Sequence, residues 1–227
     1  MIPRPENPLI VALDVSDLDR AEELAATLAP HVGLLKVGLE LAWAAGPEAV
    51  RRIVPHGPVF VDAKLHDIPN TVERASANIA RLGVAMMNVH ALGGEAMMRA
   101  AREGAQRGAS EAGCQPPLVL AVTILSSLSG EELASPASLA FEAKAAGLDG
   151  VVVSGSDVAD VRQVCGEDFC LIVPGIRPTG SNGDDQVRVL TPTEAIEKGA
   201  DHIIVGRPIT AAEDPVGVVR GILHDVR

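Results

Sequence analysis

The chain has 227 residues, nearly half of them hydrophobic, which is ample for a buried core and excludes disorder as the dominant state. Thirty acidic against nineteen basic side chains give a net charge of −11, the wrong sign for binding nucleic acid or an anionic membrane through a broad basic surface, so an anionic ligand must be held by a local site. Aromatic residues are 2% of the chain, with no Tyr and one Trp, Trp43, which disfavours base-stacking platforms and leaves the core to Ala, Val, Leu and Ile.

Short apolar runs recur along the chain, each bounded by Gly, Pro or Asp and each followed by a longer segment with helical spacing. The run over 9–13 leads into a helix over 18–28, opened by Asp17 as capping residue. The run over 33–37 leads into a helix over 40–54, beneath which Trp43 should pack. After the run over 59–63 comes a helix over 72–82; after that over 84–89 comes one over 94–108, with the Gly-, Ser- and Ala-rich stretch 104–117 read as a loop behind it. The run over 118–124 precedes a helix over 138–146, started by Ser135-Pro136, and the run over 150–153 precedes one over 156–164. The run over 170–173 precedes a short helix over 193–198, started by Thr191-Pro192, and the run over 202–205 precedes the last helix, over 215–226.

The repeat averages about 28 residues, one strand-plus-helix unit of a barrel near the short end of its usual size. Near-continuous apolar strands such as Leu118-Val119-Leu120-Ala121-Val122 imply burial on both faces, hence a parallel sheet covered by helices and an α/β fold. Periodicity does not separate a closed barrel from an open doubly wound sheet, but the polar residues do. Asp14, Lys36, Asp62 with Lys64, His90, Ser126, Ser154, Arg177 and Gly206-Arg207 each stand at or just past the C-terminal end of a different run. Closure brings those ends to one mouth, whereas an open sheet strings them along a crevice too long for one small ligand. The expectation is a single (β/α)8 TIM barrel over 1–227 with its site at the C-terminal ends of the strands.

Cys114, Cys165 and Cys170 are an odd set without the paired spacing of structural zinc, which disfavours both a metal site and a disulfide scaffold and points to a reducing cytoplasm. The first residues carry no basic start followed by a long apolar run, so a soluble, unexported protein with no membrane or nucleic-acid partner is expected. Met86, Met87, Met97 and Met98 read as core, and the cysteines receive no role.

The most informative stretch is Asp62-Ala63-Lys64-Leu65-His66-Asp67. Strand alternation sends Asp62 and Lys64 to the same side, while Asp67 lies three residues farther along a turning segment that can return to the mouth or reach outward. Two carboxylates around a lysine make a poor metal cage, because the ammonium occupies the middle of the acidic field; a salt-bridged proton donor fits better. An isolated Asp-x-Lys also reads as an ion pair capping a strand. Asp14 and Lys36, at corresponding points of the preceding strands, weigh against that reading: four or five alternating charges crowd one mouth, where burial is costly unless chemistry needs it. His90 reads as a satisfied structural histidine and His66 as a support of the turn.

The string Asp62-Ala63-Lys64-Leu65-His66-Asp67-Ile68-Pro69-Asn70-Thr71 resembles the signature of the orotidine 5′-phosphate decarboxylase family. Further matches run in family order: Ala12-Leu13-Asp14, Lys36-Val37-Gly38, Asn88-Val89-His90-Ala91, Pro174-Gly175-Ile176-Arg177 and Val205-Gly206-Arg207-Pro208-Ile209. A bare Asp-x-Lys-x-x-Asp also resembles sugar-phosphate decarboxylases and synthases of the same suprafamily, but the following Ile-Pro-Asn-Thr and the Pro-Gly-Ile-Arg string favour the orotidylate branch. The resemblance implies decarboxylation of orotidine 5′-monophosphate to UMP in pyrimidine biosynthesis, without metal or organic cofactor, by a homodimer with composite active sites.

The resemblance further implies Lys64 as proton donor, Asp62 against the departing carboxylate, and Lys36 and Asp67 completing the alternating network. It places Asp14 and Lys36 on the ribose, although Asp14 taken alone is also an ordinary capping or turn residue. Asp67, Ile68 and Thr71 join the substrate-binding set, with Asp67 and Thr71 reaching the neighbouring subunit's ligand; Pro174 joins it too, and Ser126 or Ser127 contacts the pyrimidine. Gly206 and Arg207 end the eighth run, where barrels commonly bind phosphate through backbone N–H groups and an arginine fork. Arg177 and Gln186 bracket the polar segment 178–185, which composition reads as a loop and the family register reads as a lid over the phosphate. Two other readings stay open: a magnesium-dependent keto-sugar-phosphate decarboxylase or synthase, and a non-catalytic nucleotide-binding barrel.

Overall fold

Residues 5–124, 134–177 and 190–226 are described by the structure, a computed structural model. Ser126, Ser127, Gln186 and the segment 178–185 lie outside the described residues. Eight parallel strands, β1 (Leu9–Ala12), β2 (Leu34–Val37), β3 (Val59–Leu65), β4 (Met86–His90), β5 (Leu118–Val122), β6 (Gly150–Val152), β7 (Cys170–Val173) and β8 (His202–Val205), pair in chain order, and β8 closes on β1. The expected α/β barrel is the observed one.

Register follows from that closure. The pairings Ile10↔Leu34, Lys36↔Phe60↔Met86↔Leu118, Leu120↔Gly150↔Cys170, Ile172↔His202 and Ile204↔Ile10 return to their start after an advance of eight residues along the strands. This is the stagger of a closed (β/α)8 barrel, and it fixes which residues face inward. Ile10, Leu34, Phe60, Leu120, Ile172 and Ile204 form part of the apolar cluster inside the barrel. A second and larger cluster lies between the sheet and its helices.

The helices are α1 (Leu18–Leu28), α2 (Leu39–Ala45), α3 (Pro47–Ile53), α4 (Pro69–Ala80), α5 (Gly94–Ala112), α6 (Pro136–Ala145), α7 (Val158–Cys165), α8 (Pro192–Glu197), α9 (Arg207–Thr210) and α10 (Pro215–Asp225). The expected caps are in place: Asp17 accepts the Arg20 N–H at 3.0 Å, Ser135 accepts the Ser138 N–H at 3.1 Å, and Thr191 forms a reciprocal capping box with Glu194. Met86, Met87, Met97 and Met98 are buried, as expected. The three cysteines are free thiols, and burial pushes Cys170 up to about 12.

Four expectations are corrected. The helix expected over 40–54 is two, because Gly46 sits at φ +62° and Pro47 starts a new helix. The third strand runs on to Leu65, and the following helix starts at Pro69 rather than at Val72. The stretch 104–117 is not all loop: α5 continues through Gly104 and Gly108 to Ala112 and ends at Gly113, which is left-handed at φ +68°. Its glycines are packing residues, since a Cβ on Gly104 would overlap the Glu73 carbonyl oxygen and one on Gly108 would overlap that of Ala77. Trp43 is not packed beneath its helix but 85% exposed, because it points away from the face of α2 that buries Leu41.

At the N-terminal ends of the strands, Arg162 of α7 is buried and donates to the carbonyls of Gly199, Gly166 and Phe169 and to Asp201 Oδ2 at 2.7 Å. Asp201 Oδ2 also accepts the Leu171 N–H. This network ties α7 to the starts of β7 and β8, at the end of the barrel away from the polar mouth. Close packing of α4 on α5 yields a stability test: Gly108→Ala gains up to about 1 kcal/mol of helix propensity but must push α4 outward, for a net loss of roughly 1–3 kcal/mol in urea denaturation.

Candidate active site

One step beyond the apolar interior, the inward positions turn polar. Ala12 is followed by Asp14, Leu34 by Lys36, Phe60 by Asp62, Met86 by Asn88, Val152 by Ser154, and Ile204 by Gly206. The period of two along each strand and the barrel stagger bring these side chains to one mouth. Asp14, Lys36, Asp62 and Ser154 there border a cavity of about 630 Å³, and Lys64, Glu40, Arg177 and Arg207 complete its charged lining. Pro174 and Gly206 also border it, and Val122, Ile124 and Val152 give it an apolar wall.

Asp62 is the centre of the charged side. Its Oδ1 accepts from Lys64 Nζ and from Asn88 Nδ2, each at 2.7 Å, and its Oδ2 lies 3.2 Å from Lys36 Nζ. Lys36 Nζ in turn donates to Asp14 Oδ1 at 3.1 Å. The Lys36 and Asp62 side chains are 7% and 12% exposed, so this is a desolvated alternation of charge rather than a surface ion pair. Burial acts to raise the Asp62 carboxyl, but Lys36 and Lys64 beside it, with the bonds from Lys64 and Asn88, outweigh burial and hold it below its ordinary value. Gly38 makes room for the network: a Cβ there would stand 2.8 Å from both Asp14 Oδ1 and Lys36 Nζ.

Backbone geometry at Lys64 is unusual. At φ +49° it is the one non-glycine residue with positive φ among the described residues, a conformation that costs about 1–2 kcal/mol for an L-residue. The β3–β4 pairing shifts register between Val61 and Leu65, so the strand bulges at the point where Lys64 turns to Asp62. The Lys64 N–H goes instead to the side chain of Asn88, Oδ1 accepting it at 2.7 Å.

The structure thus brings together Asp14, Lys36, Asp62, Lys64, Pro174, Arg177, Gly206 and Arg207. Asp67, Ile68 and Thr71 stand apart on the exposed turn after β3 and the start of α4, where Asp67 Oδ1 accepts the Ile68 N–H at 2.7 Å. Of the two directions open to Asp67 in the sequence, the chain takes the outward one. Ile68 is exposed, and so are Leu39 and Trp43. His90 is half-buried with its ring centroid 5.5 Å from that of His66; burial, reinforced by His66 and Lys64, pushes its imidazole below the usual value. Asn88 is the participant that residue-level reading of the sequence passed over, although the match Asn88-Val89-His90-Ala91 contains it.

Among the described residues no group of three or more His, Cys, Asp or Glu side chains is placed to hold a metal ion. No described helix is long and apolar enough to cross a membrane.

Residues 7–222 match the family model described as the orotidine 5′-phosphate decarboxylase / HUMPS family. The chain belongs to this family. An orotidine 5′-phosphate decarboxylase of Moorella thermoacetica is 45% identical, over 97% of this chain and 92% of that protein. Another, of Syntrophotalea carbinolica, is 46% identical over 100% and 97%. Among solved structures, orotidine 5′-phosphate decarboxylase from Lactobacillus acidophilus has a TM-score of 0.84 at 36% identity, over 98% of this chain and 100% of that one. The orotidine 5′-phosphate decarboxylase from Pyrococcus horikoshii OT3, at 23% identity and a TM-score of 0.78, shares the fold.

The depressed Asp62 carboxyl makes a signed prediction. A carboxylate favoured by folding stabilises the native state above its unfolded pKa, about 3.9, and loses that contribution as pH falls through the lower folded value. Urea denaturation of the parent and of Asp62→Asn should therefore show a constant stability difference from neutrality down to about pH 4, and below it a difference shrinking in the variant's favour. A pH-independent difference across that acid window would contradict the depressed carboxyl.

Proposed function

We propose that this member of the orotidine 5′-phosphate decarboxylase / HUMPS family converts orotidine 5′-monophosphate to UMP and CO2, without metal or organic cofactor, using Lys64 as proton donor. The observation that carries this reading is the alternation Asp14, Lys36, Asp62, Lys64 at the rim of the mouth cavity, with Lys36 and Asp62 at its centre nearly desolvated. Breaking the bond from the pyrimidine to its carboxylate leaves an electron pair on a ring carbon that delocalises it poorly. A fixed ammonium beside that carbon stabilises the developing charge and then delivers its proton, forming the C–H bond; the neutral Lys64 amine regains a proton from solvent. Asp62 lies against the departing carboxylate and keeps the ammonium aimed. Both Asp62 oxygens are already engaged, Oδ1 accepting from Lys64 and Asn88 and Oδ2 ion-paired with Lys36, an arrangement suited to holding a lysine rather than a divalent cation.

Around this centre, Lys36 and Asp14 meet the ribose hydroxyls, and the apolar wall of Val122, Ile124 and Val152 lies along the pyrimidine with Pro174, where Ser126 or Ser127 adds a hydroxyl contact. Arg207, the Gly206 backbone, Arg177 and Gln186 hold the phosphate, with the segment 178–185 closing over it so that remote binding energy assembles the charged site. The working unit is a cytoplasmic homodimer. Exposed Leu39, Trp43 and Ile68 form its apolar seam, and Asp67, Ile68 and Thr71 cross that seam to complete the neighbour's network.

Purified protein should turn over orotidine 5′-monophosphate at the same rate with and without EDTA, and Lys64→Ala should lower kcat/KM by at least about 10³-fold while circular dichroism stays unchanged. Silencing by EDTA selects the magnesium-dependent sugar-phosphate chemistry, and UMP binding without turnover selects the non-catalytic barrel.

Shared sites give a separate expectation. Mixing inactive Lys64→Ala with inactive Asp67→Asn should restore about a quarter of parental activity in a statistically mixed population, because half of the dimers then hold one site with neither substitution. Verified heterodimers without recovered activity would show that the two residues serve one subunit's site.

A further inference from the structure

Lys64 occupies a conformation that its own strand does not support. A left-handed lysine in a bulge loses the ladder partner for its N–H, and nothing in β3 itself replaces it. The replacement comes from β4. Asn88, fully buried, points inward one position above Met86 and meets both ends of the Asp62-Ala63-Lys64 step: its Oδ1 accepts the Lys64 N–H, and its Nδ2 donates to Asp62 Oδ1, each at 2.7 Å. A planar amide suits this place because it offers one acceptor and two donors on a short stem; a carboxylate offers no donor and an aliphatic side chain neither.

We propose that Asn88 is a positioning residue of the candidate active site, whose amide locks Lys64 in its left-handed conformation and sets Asp62 Oδ1 against the Lys64 ammonium. The proton donor is thus aimed from the neighbouring strand. Asn88 acts through Lys64 and Asp62 and needs no contact with substrate. The kinetic part of this inference rests on the decarboxylase reading; the conformational part does not.

Two variants test it. Asn88→Leu keeps the branched shape, in a somewhat larger side chain, without hydrogen bonds, and should lower kcat about 10²-fold while KM stays within about threefold, since the phosphate and ribose contacts are untouched. Its crystal structure should show Lys64 out of the left-handed region and its Nζ off Asp62. In Asn88→Asp the introduced carboxyl faces Asp62 and Lys64 on β3, Lys36 on β2 and His90 on its own strand, with no titratable side chain on β5. Protonated, it donates to Asp62 and accepts from Lys64 as the amide does; ionised, it repels Asp62. Activity relative to the parent should therefore rise about tenfold between about pH 8 and pH 5.

A residue that merely fills space would lower the melting temperature and leave the relative pH profile flat. Turnover of Asn88→Leu within about threefold of the parent, or Lys64 still left-handed and on Asp62 in its crystal structure, overturns the proposal. If Asn88→Leu does not fold, the Asn88→Asp profile decides, a profile parallel to the parent's overturning it. A parent inactive on orotidine 5′-monophosphate overturns the decarboxylase reading instead, and the Lys64 conformation in Asn88→Leu crystals then decides the positioning role alone.

Discussion

A carboxylate that is nearly desolvated must be compensated where it stands, and the compensation of Asp62 organises this molecule. One ammonium comes from β2, one from two residues along β3 and an amide from β4, so three adjacent strands must hold one register for the charge to be tolerated. Breaking such a pair by removing one partner typically costs 3–5 kcal/mol, against a total domain stability of about 5–15 kcal/mol. The site is therefore not an ornament on a finished fold. Barrel closure and the charged alternation stabilise each other.

The two ends of the barrel divide the remaining work. At one end Arg162 and Asp201 satisfy backbone carbonyls and an N–H around the starts of β7 and β8. At the other end Arg177 and Arg207 border open space. The outer helices carry this polarity further. Gly104 and Gly108 let α5 approach α4 closely, Arg107 pairs with Glu73 and Arg81 with Glu111, and the fixed α4 holds the turn that presents Asp67 and Ile68. Small residues on an outer helix thus bear on the placement of the Asp67 carboxylate.

The barrel was legible in the sequence because two independent patterns agreed: a strand-plus-helix period and a polar residue at the end of each apolar run. Asp14, Lys36, Asp62 and Lys64 were legible for the same reason, being sited by strand parity before any contact is known. What escaped depends on relations between elements. Gly104 and Gly108 look like helix breakers until a neighbouring helix needs their missing Cβ atoms. Trp43 suggests a core anchor until the face of its helix is known. Asn88 looks like a lone polar residue in an apolar run, and its partners on β3 follow from a bulge at Lys64 that no local composition announces. The direction of Asp67 was likewise undecided, since a turn three residues past an inward carboxylate can leave on either side.

Charge balance connects the proposed chemistry to the shape of the mouth. Asp14, Lys36, Asp62 and Lys64 sum to zero, so the cluster alone offers no net attraction to a dianionic phosphate carrying a further ring carboxylate. In the proposed reaction attraction falls to Arg177 and Arg207, which border the same cavity and whose guanidinium groups suit phosphate. A substrate drawn in by its phosphate brings its carboxylate toward Asp62, where the local sum becomes negative in a poorly solvated place. Loss of CO2 removes that excess, and in the proposed reaction the electron pair left behind meets the Lys64 ammonium, which carries both a charge to stabilise it and a proton to quench it. An uncompensated cation at Lys64 would instead pair with the intact carboxylate and favour the ground state. In the proposed mechanism the carboxylate of Asp62 is what directs the ammonium's advantage to the transition state.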